Sequence, residues 1–217
     1  MRSRLIYFVS LFIMFAVLAG CGKKDEGPKV SDADKQKLTQ HLKEAFTGET
    51  TASAKYEAYS KKAKEEGLDN IAKLFEAASK SEAIHANNHK KVLEKLGEKA
   101  PDVKPEFTVK TTKENLEDAI KGESYETSTM YPEFKRTSDG LAEYGKDASK
   151  SFDYAMRTEA KHKVFYEESL KAITDKTADK LPAAFWVCPI CGNTVSNEAD
   201  IKKCTICKNE KDPWVKI

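Results

Sequence analysis

Excess charge of either sign is missing from this sequence, and cysteine and histidine are scarce. The 217 residues carry a formal net charge of +2, so charge gives no argument for nucleic-acid binding. Four of the five cysteines lie close together near the C-terminus, which indicates a four-ligand site and argues against a disulfide framework. Alanine, lysine, glutamate and leucine dominate the middle of the chain, and this composition favours helices.

The N-terminus has the pattern of a secretory signal. Arg2 and Arg4 are followed by the uncharged apolar residues 5–18, a run shorter than the ~20 residues needed to span a membrane. Small residues then precede Cys21, an order that resembles the bacterial lipobox, in which the cysteine is lipidated and the preceding peptide removed. Residues 1–20 are therefore predicted to be a signal peptide. The alternatives are an uncleaved anchor helix or a plain signal with an incidental cysteine.

The polar segment that follows is predicted to be a tether. Residues 21–31 contain the lipidated cysteine and then polar residues with glycine and proline. Acyl chains, together with the basic Lys23 and Lys24, would hold the mature protein at a membrane surface. The expected location is extracytoplasmic, as a membrane-anchored bacterial lipoprotein.

Four long helices are predicted in residues 32–174, because apolar residues recur there at helical spacing. The first two helices end at Gly67 and Gly97. Residues 98–111 are predicted to be a crossing loop, and Thr111 opens the third helix, which should kink or break at about Pro132. Short first and last connections with a longer middle one predict a mainly α protein with a ferritin-like four-helix bundle.

Two Glu-x-x-His pairs interrupt the apolar faces of these helices. Glu82 and His85 lie in the second helix, and Glu159 and His162 lie in the fourth. Residues three apart project from the same side of a helix, so each pair could bind one metal centre. A single such pair on a lysine-rich helix is more often a solvated face, and the prediction depends on finding both pairs.

The other two helices supply further carboxylates, Glu49 in the first and Glu123 and Glu126 in the third. One carboxylate from each of two helices with a Glu-x-x-His from each of the others is the ligand set of di-iron and di-manganese bundles. Buried carboxylates without partners are strongly disfavoured, and two divalent cations would cancel much of their charge. His41 and His89 have no glutamate three residues before them and are interpreted as surface residues or as neighbours of the ligands.

The C-terminal residues predict a second metal site. Cys188, Cys191, Cys204 and Cys207 form two Cys-x-x-Cys knuckles, the usual source of a tetrahedral four-sulfur site. The bound metal could be iron or zinc, as in a zinc ribbon, and a pair of disulfides is the remaining alternative. Residues 175–184 are predicted to be a linker and residues 185–217 a small metal-binding domain.

Segments 45–56, 65–89, 114–134 and 159–162, with the two cysteine knuckles, resemble rubrerythrin. The resemblance covers about residues 35–217 and implies a ferritin-like bundle followed by a rubredoxin-like domain. It implies two irons bridged by carboxylates and an oxo group, and a third iron on the four cysteines. The implied activity is reduction of hydrogen peroxide to water in oxidative stress defence, with electrons relayed through the four-cysteine iron.

The resemblance also implies roles for the ligands. Glu82 and Glu159 would bridge the irons, Glu49 would bind one iron, and Glu123 with His162 would bind the other.

Glu126 and His85 would be alternatives on the first iron, the carboxylate when it is oxidised and the imidazole when it is reduced. Tyr56 and Tyr131 match family tyrosines near the diiron centre, although each could be a core tyrosine with a satisfied hydroxyl.

In the family the rubredoxin-like domain of one subunit approaches the bundle of another, so a homodimer is expected. The electron donor remains unknown.

Three residues near the cysteines depart from the family pattern. Asn193 stands where an aromatic residue is common, Thr205 where proline is usual, and Lys208 where glycine is normal. Loss of that glycine could alter the potential of the site or favour zinc. The alternative functions are a ferroxidase or iron-handling protein, and a non-enzymatic electron-transfer or zinc-ribbon protein anchored at the membrane.

Overall fold

A computed structural model describes residues 30–217. The predicted signal peptide, the lipidation site Cys21 and all of the tether except residues 30–31 lie outside this part of the chain. Within the described residues no helix has the length and apolar character needed to cross a membrane.

The structure is a bundle of four long helical segments followed by a small β module, which confirms the predicted fold class. The bundle is built from α1 (Asp32–Glu65), α2 (Asp69–Lys95), α3 (Thr112–Tyr125), a π-helical turn (Glu126–Met130), α4 (Tyr131–Asp139) and α5 (Ala142–Thr174). The chain between α2 and α3 has no regular structure, as predicted for the crossing loop. This connection places α3 and α5 beside the α1–α2 hairpin.

Side-chain caps fix the start of two helices. Ser31 accepts a hydrogen bond from the N–H of Asp34 (3.1 Å) at the start of α1. The predicted capping box is present at the start of α3, where Thr111 and Glu114 each accept a hydrogen bond from the backbone N–H of the other. Such caps satisfy amide groups that would otherwise lack partners at a helix start.

The third helix is interrupted directly before Pro132, in agreement with the predicted kink or break, but the helical path continues beyond it. The chain passes through the π-helical turn at Glu126–Met130 and continues as α4 to Asp139. Tyr131 donates its N–H to the carbonyl of Glu126, five residues back, and Pro132 then occupies the first turn of α4. The wider turn directly before Pro132 accommodates its ring and its missing N–H, so the helical path is kept across the proline.

The tight α4–α5 corner depends on a glycine. A Cβ atom built on Gly145 would lie 1.9 Å from the carbonyl oxygen of Ser138 in α4. We therefore expect Gly145→Ala to lower the free energy of unfolding by about 3 kcal/mol in urea denaturation, because backbone must move to admit the methyl group. Gly48→Ala in α1 is the control: it meets no atom within 4 Å and should be neutral or slightly stabilising. Equal effects from the two substitutions would contradict this account.

The apolar core of the bundle falls into two clusters on either side of a polar layer. One cluster contains Tyr59, Phe75 and Leu116, and the other contains Leu42 and Phe152. Burial of these side chains supplies the main stabilisation of the bundle. The polar layer between them holds the predicted metal ligands.

The C-terminal module is a three-stranded antiparallel sheet with cysteine knuckles. Its strands are β1 (Trp186–Val187), β2 (Thr194–Val195) and β3 (Val215–Lys216), in the order β2-β1-β3. Phe185 and Val187 belong to the same apolar cluster as Phe75 of the bundle, so the module packs directly on the bundle of its own chain.

Candidate metal centres

The two Glu-x-x-His pairs face each other across the bundle. The Nδ1 atom of His85 lies 2.9 Å from Glu82 and 2.7 Å from Glu159. The Nδ1 atom of His162 lies 3.1 Å from the other oxygen of Glu82 and 2.8 Å from the other oxygen of Glu159. Each carboxylate therefore presents one oxygen toward each histidine, which is the arrangement of a carboxylate that bridges two metals.

Glu49 in α1 and Glu123 in α3 complete the layer, one at each end. A tyrosine hydroxyl donates a hydrogen bond to one oxygen of each: Tyr131 to Glu49, and Tyr56 to Glu123 (2.8 Å). The second oxygen of each carboxylate is buried without a partner. The two tyrosines thus hold the carboxylates in a fixed orientation and leave one oxygen of each available as a ligand.

The unsatisfied atoms of this layer fit two metal ions. Both oxygens of Glu82 and of Glu159, and the Nδ1 atoms of both histidines, are buried without hydrogen-bond partners. The donor atoms form two overlapping groups whose members lie within 4.8 Å of one another: Glu49, Glu82, His85 and Glu159, and Glu82, Glu123, Glu159 and His162. Buried polar atoms rarely lack partners, and carboxylate with imidazole donors suits iron, so the layer fits a diiron centre.

Glu126 is the one predicted diiron ligand outside both groups. It is the first residue of the π-helical turn and is only partly buried. Desolvation and the charges of Glu49 and Glu82 raise the pKa of Glu126 well above its usual range. The structure therefore places His85, and not Glu126, with the first group of ligands.

Without metal, three of the four buried glutamates of the layer hold their protons strongly, and Glu82 is the exception. Burial, followed by the charge of Glu82, raises the pKa of Glu49 to about 8. Burial and neighbouring carboxylates raise the pKa values of Glu123 and Glu159 well above the usual range. Burial acts in the same direction on Glu82, but His162 and His85 outweigh it and lower its pKa to about 2.

We expect the metal-free bundle to lose stability as the pH rises from about 5 to about 8. Carboxylates in the unfolded chain ionise near pH 4.5, whereas folded Glu49, Glu123 and Glu159 remain protonated. The folded state then binds more protons than the unfolded state, so the free energy of unfolding falls by up to ~1.4 kcal/mol per pH unit for each group. The lowered pKa of Glu82 matters only below pH 4.5, outside this window.

Urea denaturation of chelator-treated protein at several pH values measures this slope. The metal-loaded protein is the control and should show stronger metal retention as pH rises, because metals bind deprotonated carboxylates. A metal-free bundle that becomes more stable toward pH 8 would contradict the prediction.

The far sides of both histidines contact the C-terminal module. The Nε2 atom of His85 lies 3.0 Å from the carbonyl oxygen of Cys191, and that of His162 lies 2.9 Å from the hydroxyl of Thr194. Ser81 donates a hydrogen bond to the carbonyl of Gly192 (2.8 Å). A proton on Nε2 of His85, donated to Cys191, leaves Nδ1 unprotonated as a metal ligand. The module therefore orients the diiron ligands as well as carrying its own site.

The four cysteines form the second centre. Their sulfur atoms lie within 4.8 Å of one another, and none is in a disulfide. The sulfurs of Cys188 and Cys207 are 3.6 Å apart, and those of Cys191 and Cys204 are 3.5 Å apart. A tetrahedral metal with bonds of about 2.3 Å requires sulfur separations of about 3.8 Å. The geometry fits one metal ion and not two disulfides.

Lys208 stands where the resemblance leads us to expect glycine, and its backbone is in the left-handed conformation, with φ of 65°. Its ammonium group donates a hydrogen bond to the carbonyl of Thr205 (2.9 Å) within the same knuckle. Lysine therefore adopts the glycine turn at this position, at some conformational cost.

Outside the Glu-x-x-His pairs, His89 is a neighbour of the ligands, which was one of the two predicted alternatives, whereas the position of Tyr166 beside the layer was not predicted. His89 is buried, with its Nε2 atom 3.2 Å from the hydroxyl of Tyr131 and its Nδ1 atom 2.8 Å from that of Ser151. Tyr166 is buried beside His162. His41 is also buried, and its ring stacks on that of Phe134 with 4.2 Å between the centroids. Neither His41 nor His89 is therefore a surface residue. The spacing of these residues from apolar neighbours in the sequence was the available signal of their burial.

A four-helix bundle with two carboxylates placed to bridge metals, joined to a four-cysteine module, defines a diiron-carboxylate protein with a rubredoxin-like domain. The Rubrerythrin family model matches residues 40–170. The chain therefore belongs to the rubrerythrin family, whose members bind a diiron centre, and its four-cysteine cluster fits a rubredoxin-like iron site.

Curated relatives and solved structures agree with this assignment. The chain is 37% identical to nigerythrin of Nitratidesulfovibrio vulgaris over 177 residues, which cover 81% of this chain and 84% of that protein. It is 32% identical to Rubrerythrin-2 of Clostridium acetobutylicum over 174 residues, covering 80% and 92% of the two chains. The structure of nigerythrin in its fully reduced, all-ferrous state superimposes with a TM-score of 0.73 at 32% identity, covering 90% of this chain and 91% of that one.

Proposed function

We propose that this diiron oxidoreductase is a peroxidase that reduces hydrogen peroxide to water with electrons passed through the four-cysteine iron. The observation that carries the proposal is the placement of Glu82 and Glu159, each of which presents one oxygen to each histidine. Two irons held by these residues would supply a pair of Lewis acids and two electrons for cleavage of an O–O bond. The overall reaction consumes one peroxide, two protons and two electrons and yields two water molecules.

The ligand roles follow from the positions of the side chains. Glu82 and Glu159 would bridge the metals, Glu49 and His85 would hold the first, and Glu123 and His162 the second. Tyr131 and Tyr56 act on this centre by hydrogen bonding to Glu49 and Glu123, which keeps one oxygen of each directed at the metals. Glu126 is proposed as the alternative to His85 on the first metal in the oxidised protein.

The contact between the two sites supports the electron relay. His85 presents Nδ1 to the diiron layer and Nε2 to the carbonyl of Cys191, a ligand of the second centre. A single hydrogen bond therefore joins a ligand of the diiron layer to the backbone of a ligand of the four-cysteine site. Because this contact lies within one chain, the relay does not require a second subunit. A homodimer remains a proposal that rests on the family resemblance.

The location and the electron source complete the proposal. We propose that the mature chain begins at lipidated Cys21 and is held at a membrane outside the cytoplasm by residues 21–31. Its electron donor would then be a one-electron reductant of that compartment, of unknown identity. Globomycin treatment of cells that express the full chain tests this location, because inhibition of lipoprotein signal peptidase should cause the uncleaved form to accumulate.

Stopped-flow mixing of anaerobically reduced protein tests the peroxidase activity. Peroxide should oxidise both centres far faster than air-saturated buffer does. The proposed reaction cleaves the O–O bond of peroxide, whereas dioxygen must first be reduced to the peroxide level. Excess ferrous ion with oxygen provides the comparison for a ferroxidase. Faster turnover with ferrous ion than with peroxide and a reductant would replace the peroxidase by an iron-oxidising function.

A further inference from the structure

Lys161 contacts two of the residues that depart from the family pattern. Its ammonium group donates a hydrogen bond to the side-chain oxygen of Asn193 (2.6 Å) and lies 3.4 Å from the hydroxyl of Thr205. Asn193 follows the first cysteine knuckle, and Thr205 lies inside the second. An aromatic residue and a proline at these positions would offer no such side-chain acceptors, so the three polar residues form one connected set.

Asn193 links this lysine to a metal ligand. Its side-chain nitrogen donates to the sulfur of Cys204 at 3.5 Å, and the residue is fully buried. The amide is therefore hydrogen bonded at both ends, by an ammonium group on the oxygen and by a sulfur on the nitrogen. A cation on the oxygen polarises the amide and strengthens the N–H donor, so the two hydrogen bonds reinforce each other.

The charge of Lys161 lies in a partly buried position beside the thiolates. Desolvation lowers the pKa of Lys161 from its usual value, and the charges of Cys204 and Cys191 oppose that decrease. Screening by solvent is weaker for such a group than for an exposed lysine. Asp200 is another negative group that faces it, and Arg157 another positive one.

We propose that Lys161, acting through Asn193, raises the reduction potential of the four-cysteine iron. This inference rests on the proposed electron relay. Reduction adds one electron to an iron held by four thiolates, and the net charge of the centre changes from −1 to −2. A neighbouring cation and a donor to sulfur both stabilise the more negative state. The electron comes from a one-electron reductant, and no bond forms or breaks.

Lys161 is a positioning residue in this scheme, since it touches neither iron nor peroxide. It lies directly before His162 and between the two diiron ligands of α5. The same side chain therefore anchors the module on α5 and shifts the reduction potential of the iron in that module. A role limited to anchoring would not change the midpoint potential of a site that remains intact.

Spectroelectrochemical titration of the full-length, iron-loaded protein tests the proposal through the visible absorption of the four-cysteine iron. Lys161→Met and Asn193→Leu should each shift the midpoint to a more negative potential. We expect an approximately tenfold change in the ratio of oxidised to reduced iron at a fixed potential, which corresponds to ~59 mV for one electron. Lys161→Arg, which keeps the charge, should remain within about twofold of the parent.

Arg157→Met is the matched control. Arg157 lies on the same helix and donates to the carbonyl of Thr205 (3.2 Å), but it is exposed and makes no link to a sulfur through Asn193. Its replacement removes the same charge and should change the ratio by less than about twofold, because solvent screens an exposed charge.

Two results would count against these ideas, and they are distinguishable. A parent protein whose visible absorption does not bleach reversibly on reduction would remove the electron relay itself. Reversible bleaching of the parent, with Lys161→Met at the same midpoint or displaced no further than Arg157→Met, would overturn only the role of Lys161.

Discussion

Glu159→Gln should remove the diiron centre while leaving the four-cysteine iron in place. The substitution keeps the side-chain volume but replaces the charged oxygen that faces one of the two histidines. Iron content should fall from about three to about one per chain, since both metals share this ligand. Peroxide reduction should fall by a factor of about 1,000 or more, equivalent to ~4 kcal/mol of barrier. Metal analysis and stopped-flow kinetics measure the two effects.

The visible absorption of the four-cysteine iron provides an internal control for this variant, because that site is built from other residues. Glu168→Ala is the external control, since Glu168 is an exposed carboxylate on the same helix. The metal-free Glu159→Gln protein should also unfold at a higher temperature than the metal-free parent, because one of the buried acids is no longer available to ionise. Retention of both bundle irons would rule out Glu159 as a bridge.

The sequence was sufficient to predict the bundle and the members of its polar layer. Helical periodicity depends only on local spacing, and the i, i+3 pairing of Glu82 with His85 follows from the same geometry. Two such pairs in different helices, with only four histidines in the chain, made a shared site the simplest interpretation. The structure brings both pairs into the polar layer, within reach of Glu49 and Glu123.

What could not be predicted depends on contacts between distant parts of the chain. The hydrogen bond from Asn193 to Cys204, and the lysine that contacts Asn193, appear only when the module is packed on α5. The sequence offered both Glu126 and His85 as ligands of the first metal, and only the folded positions of their side chains show that His85 lies with that group. The continuation of the helix beyond Pro132 was missed because a proline in the sequence does not show whether a π-helical turn precedes it.

Gly192→Ala should uncouple the two centres without removing either. A Cβ atom at this position would lie 2.4 Å from Nε2 of His85 and 2.6 Å from the hydroxyl of Ser81, and the residue has φ of +77°. The methyl group must therefore push the module away from the histidine that it contacts. We expect electron transfer from the four-cysteine iron to slow severalfold, because the hydrogen bond between Cys191 and His85 is lost and the electron must cross a longer distance. Both iron sites should remain loaded.

Rapid mixing of fully reduced protein with peroxide separates these steps, because reoxidation of the four-cysteine iron restores its visible absorption. Gly97→Ala is the matched control: Gly97 has nearly the same φ, +78°, but a Cβ atom there meets nothing within 4 Å. It should carry the conformational cost of about 1 kcal/mol and leave the relay rate unchanged. The difference between the two variants therefore isolates the close approach to His85 from backbone strain.

The same experiment distinguishes a relay within one chain from a relay between subunits. If Gly192→Ala slows reoxidation at all protein concentrations, electrons cross the contact between Cys191 and His85. An unchanged rate would require another entry to the diiron layer, and the module of a second chain in the proposed homodimer would supply it. Dilution would then slow the reaction, because a subunit contact depends on concentration whereas a contact within one chain does not.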